Sequence, residues 1–62
     1  MQRQMAKIFY QGTWRVIYDD QKKNPYTIKH ECYTNGQHHI RKVAEFPDFQ
    51  STMLYFFNKF NV

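Results

Sequence analysis

Fifteen residues in the middle of the chain, "IKHECYTNGQHHIRK" (28–42), hold all three histidines, the one cysteine and three of the nine lysines and arginines. Three kinds of chemistry could be built from them. Histidine and thiolate are zinc ligands, and His30, Cys32 and His39 could begin a tetrahedral site. A Cys–His pair is the core of a thiol nucleophile. Lysine and arginine interleaved with stackable rings suit phosphate contact and base stacking, which would use Lys29, Tyr33, His38, Arg41 and Lys42. The competing explanation is structural: lysines on open or edge strands discourage edge-to-edge pairing and aggregation.

The backbone decides which of these side chains can act together. Asn35-Gly36 is a strong hairpin signal, because a type I′ turn needs positive φ at both central residues. A two-residue turn sets Tyr33 opposite His38, Cys32 opposite His39, Glu31 opposite Ile40 and His30 opposite Arg41. It continues with Lys29 opposite Lys42 and Ile28 opposite Val43. Alternation then divides the hairpin into two faces. One carries Tyr26, Ile28, His30, Cys32, His39, Arg41 and Val43. The other carries Thr27, Lys29, Glu31, Tyr33, His38, Ile40, Lys42 and Ala44. Ile28 and Val43 mark the first face as the inner one, so the second is exposed.

This division weakens two of the chemistries. His30, Cys32 and His39 share a face, but His38 points away and Glu45 lies far along the strand, so a fourth zinc ligand is missing. No CxxC or HxxxH spacing is present, and no metal or other cofactor is expected. A catalytic cysteine would need an oxyanion donor and a cleft, which so short a chain hardly provides. His30 and Glu31 are sequence neighbours, as are Asp19 and Asp20, and strand geometry sends each pair to opposite faces. An enzyme is not expected.

The flanking segments supply the rest of the fold. "AKIFYQ" and "WRVIYD" are β-branched and aromatic runs separated around Gly12-Thr13, which predicts a second hairpin. "QKKNP" is a charged loop stopped by Pro25. In strand two, Trp14, Val16 and Tyr18 share the face that should meet the core. From Phe46 the period changes: Pro47 suits a first helical turn and Asp48 complements the helix dipole. Phe49, Met53, Phe56 and Phe60 then fall on one stripe, with Phe57 beside it. The expected fold is α+β, an antiparallel sheet of three or four strands packed on one C-terminal helix. The expected boundaries are a frayed start over 1–5, a sheet over 6–45 and a helix over 47–60, all in one domain of 1–62.

Composition bounds the function. The chain has 62 residues, 19% of them aromatic, and one cysteine, so no internal disulfide can brace it; a metal, a partner subunit or the aromatics remain to do so, and the aromatics are the expected source of the core. No apolar run approaches the about 18–20 residues of a membrane span, and the apolar stretch near the N-terminus is too short for a signal peptide. A cytoplasmic setting is expected, with Met5 as an alternative start. The formal net charge is +4 and the pI about 9.4, which favours an anionic partner.

The leading expectation is a small non-enzymatic protein that contacts nucleic acid through its open sheet. Arg15, Lys22, Lys23, Lys29, Arg41 and Lys42 would meet phosphates, and Tyr33 and His38 would stack. The order of strands then helix is similar to that of the small DNA-binding sheets at the start of some phage and transposon integrases, a likeness of element order alone. The alternative is a protein-interaction module, a phage- or mobile-element-type inhibitor or adaptor. It would bind an acidic protein surface or pair through a sheet edge. Leu54, Tyr55 and Phe57 spread apolar surface around the helix beyond its stripe, which suggests a homodimer. No membrane partner is expected.

Overall fold

The computed structural model describes residues 2–60. Strands β1 (Gln2–Phe9), β2 (Thr13–Asp19), β3 (Tyr26–Thr34) and β4 (Gln37–Phe46) are followed by helix α1 (Phe49–Phe60). The strands form one antiparallel sheet in the order β1-β2-β3-β4. The helix packs on one face, and the other is left open. The α+β arrangement expected from the sequence is the one observed.

Trp14, Val16 and Ile28 from the sheet and Phe56 from the helix are the buried apolar core. Around it pack Ala6, Ile8, Tyr26, Val43, Phe46, Met53, Tyr55 and Phe60. The Trp14 ring meets Phe56 and Phe60 edge-on, at 6.3 and 5.5 Å between centroids. Its indole N–H donates to the Tyr10 carbonyl at 2.8 Å, so this large residue is buried without an orphaned donor. The helix stripe differs from the expected one: Phe49, at its head, is 45% exposed, although its ring meets that of Tyr26. Thr52 is fully buried because its hydroxyl donates back to the Asp48 carbonyl at 3.0 Å, while Phe57 faces outward. Asp48 accepts from the Ser51 backbone N–H at 2.7 Å, the geometry of an N-cap. Helix α1 therefore starts at Phe49 rather than at Pro47.

Three further expectations are corrected. The segment 2–5 is not frayed: Gln2, Arg3 and Gln4 pair with Asp19, Tyr18 and Ile17, with an irregularity before Ala6. Met1 lies outside the described residues. The first hairpin turns over Tyr10–Gly12, with Gln11 and Gly12 at positive φ, and Thr13 already belongs to β2. In the second hairpin the tip register is as expected, but a bulge intervenes and Ile28 pairs with Ala44, not Val43. The extra residue lets both Val43 and Phe46 reach the core from one strand.

Candidate nucleic-acid interface

The registers of all three strand pairs align four cations. Lys7 is opposite Arg15, Arg15 opposite Lys29, and Lys29 opposite Lys42. Directly opposed residues project to the same side of a sheet, so these four form a row across the open face. At about 4.8 Å per strand the row spans about 14 Å. Arg15, Lys29 and Lys42 were expected here from the sequence. Lys7 was missed, because its place depends on the three-residue loop before Thr13, which composition did not reveal.

Two carboxylates are set into this face. Glu31 accepts from Arg15 Nε at 3.2 Å and Nη2 at 2.9 Å, and it also contacts His38 Nε2. The third guanidinium nitrogen, Nη1, donates to Gln4 Oε1 at 2.8 Å. The Arg15 hydrogen bonds hold the Glu31 carboxyl below its usual range, with His38 adding to them against the effect of burial. Glu45 lies between Lys42 at 3.3 Å and Lys22 at 3.6 Å, and Lys42 holds its carboxyl low as well. Lys22 is thereby drawn from its loop to the border of the open face. Lys29, at the middle of the row, has no acidic partner among the described residues and is exposed.

Beyond the row, Tyr33 and His38 stack at 4.8 Å between centroids and 24° between planes. Tyr33 is 74% exposed and Ile40 beside it 55%, so this end of the face offers ring and aliphatic surface as well as charge. Lys23 is exposed in the loop between β2 and β3, away from this group.

Arg41 is the expected contact residue that the fold places elsewhere. It pairs with His30 and lies on the helix side of the sheet, where His30, Cys32, Thr34, His39 and Arg41 line a shallow depression beyond the end of α1. The three candidate zinc ligands of this depression are not gathered around one point. The His30 ring stacks on Trp14 at 4.1 Å, and its Nε2 lies 2.9 Å from the Gln11 carbonyl oxygen. Among the described residues no three His, Cys, Asp or Glu side chains come together to hold an ion. Cys32 is a half-buried free thiol.

Comparison with known proteins adds no relative: no protein-family model, no curated protein and no solved structure matches the chain. Among the described residues no helix is long and apolar enough to cross a membrane.

Proposed function

We propose that this protein binds nucleic acid through the open face of its sheet, with Lys7, Lys29 and Lys42 against phosphates, Arg15 beside them under the restraint of Glu31, and Tyr33 and His38 available to stack on bases. The observation that carries the proposal is the row itself. Like charges directly opposite one another destabilise a sheet, and this sheet sets three such pairings side by side. Places where a sequence breaks a local rule without structural gain are where function is expected. A polyanion laid across the row would relieve the repulsion and release its own counterions. The protein acts as a binding module without catalysis of its own.

A second reading is supported by one feature. Met53, Phe56, Phe57 and Phe60 line an apolar groove on the helix, and Phe57 is 71% exposed. Such a surface fits a protein partner or a second copy of the chain. The test that separates the two is fluorescence anisotropy with single- and double-stranded DNA at low and moderate salt. Binding that weakens steeply with salt supports the nucleic-acid reading. No binding at low salt refutes it, and pull-down of a protein partner becomes the next experiment.

A further inference from the structure

The sheet is not equally wide along its length. Strand β2 pairs with β3 only as far as Glu31, which lies opposite Thr13. Past that step Cys32–Thr34 pairs with Gln37–His39 alone, closed by the Asn35-Gly36 turn. Helix α1 does not cover this part: its last described residue, Phe60, packs on Trp14 and Tyr10. Residues 33–39 are exposed on both faces of the ribbon. A four-stranded body thus narrows to a bare two-stranded arm.

We propose that this arm enters the major groove of duplex DNA while the cation row stays outside the groove and faces the phosphate backbone. The inference rests on the nucleic-acid reading above and narrows it to one ligand class. The dimensions carry it. Three residue steps give the arm a length of about 10 Å, and its two strands lie about 5 Å apart. The B-form major groove is about 12 Å wide and about 8.5 Å deep, and it admits a two-stranded ribbon. The body spans about 14 Å between its outer strands before side chains are added, so it cannot follow. Lys29 and Lys42 lie three residues behind Cys32 and His39, about 10 Å back from the start of the arm, so with the arm in the groove they stand outside it, on the side of the flanking backbone.

The chemistry of the arm agrees with its shape. Thr34, Asn35, Gln37, His38 and His39 offer hydroxyl, amide and imidazole groups that both donate and accept, the groups that read base edges. No carboxylate occurs in 32–39, so nothing on the arm repels the backbone it must pass. Duplex RNA is a poor substitute, because the A-form major groove is deep and too narrow for side chains to read. A single strand has no groove.

The experiment compares duplex DNA, duplex RNA and single-stranded DNA of one sequence by anisotropy at one low salt concentration. It uses the wild type and Tyr33→Ala/Gln37→Ala. These two positions lie on opposite faces of the arm, and neither is charged. The expected result is duplex DNA bound at least about tenfold more tightly than duplex RNA by the wild type. The variant should lose about tenfold on duplex DNA while keeping the salt slope, since no cation is removed. Equal affinity for the two duplexes or preference for the single strand overturns groove insertion and leaves the open-sheet reading intact; an unchanged variant overturns groove insertion and the stacking role of Tyr33, leaving the cation row as the contact. Failure of the wild type to bind any of the three overturns both. The wild-type comparison needs no variant, so it stands even if Tyr33→Ala/Gln37→Ala folds poorly.

Discussion

Replacing Glu31 by glutamine should strengthen nucleic-acid binding, although the residue is itself far from basic. In the structure the Glu31 carboxylate occupies two nitrogens of Arg15 and contacts His38, so Arg15 is the member of the row held most firmly away from a phosphate; Lys42 makes a single contact to Glu45 at 3.3 Å and stays more than half exposed. Lys7, Lys29 and Lys42 remain. For duplex DNA each phosphate contact contributes about −0.9 to the slope of log affinity against log salt, so three contacts give about −2.7. Freeing Arg15 makes four contacts and about −3.6. Between 50 and 200 mM salt the wild type should then lose about 40-fold in affinity and Glu31→Gln about 150-fold. The formal net charge rises by one, from +4 to +5. Glutamine keeps the size of the side chain but not its charge, so the fold should persist, which far-UV circular dichroism checks, while the hold on Arg15 loosens. The assay is anisotropy with a labelled duplex over a series of salt concentrations. An unchanged slope in a folded Glu31→Gln would show that Arg15 is not a phosphate contact restrained by this carboxylate, and weaker binding at low salt would refute the electrostatic account of the face.

Further outcomes follow from the core, the turns and the titrating groups. Phe56 is the one buried aromatic that the helix contributes, so Phe56→Ala should cost about 3–5 kcal/mol in denaturant unfolding, enough to unfold much of so small a domain. Gly12→Ala should be more damaging than Gly36→Ala. Both glycines are at positive φ, but a Cβ at Gly12 would lie 2.6 Å from His30 Nε2 and 2.7 Å from the Glu31 carbonyl oxygen, whereas Gly36 has open space around it. Thermal midpoints of the two variants check the order. The carboxyls of Glu31, Glu45 and Asp19 are all held low, by Arg15, by Lys42 and by the Gln21 backbone N–H respectively. A group whose folded pKa is depressed contributes stability that is present above its unfolded pKa and lost as pH falls through the folded value. Thermal stability should therefore fall in acid, below the ordinary carboxylate range, and Glu31→Gln should show a shallower decline.

The sequence made the tip of the second hairpin legible to the residue, because Asn-Gly dictates a turn with positive φ at both positions and alternation does the rest. It also separated the two faces of β3 correctly, and with them the open-face group Lys29, Glu31, Tyr33, His38 and Lys42. The bulge near Val43 was not legible. No glycine or other local signal marks it, and its advantage is tertiary, since it brings both Val43 and Phe46 to the core. The pairing of 2–5 was hidden for a related reason. "QRQM" has little strand propensity of its own and is held by β2 from outside. Lys7 was missed because β1 has to be registered through a turn in which a glutamine, Gln11, adopts positive φ. Thr52 was missed as a core residue because its hydroxyl is satisfied within the helix, and periodicity counts only apolar residues. The acidic restraint on Arg15 could not be read at all: Glu31 is sixteen residues away, and the contact depends on the pairing of β2 with β3.

The central claim is that the cation row is the nucleic-acid contact, and Lys29→Ala/Lys42→Ala tests it most directly. Both side chains are exposed and they oppose each other, so their removal relieves a like-charge pair rather than disrupting the core. The variant should stay folded, the relieved repulsion offsetting the lost Lys42–Glu45 contact, and its salt slope on duplex DNA should drop from about −2.7 to about −0.9. From 50 to 200 mM salt its affinity would then change only about 3.5-fold. A folded double variant that binds duplex DNA with the wild-type affinity and slope would contradict the account and move the search to the apolar groove around Phe57.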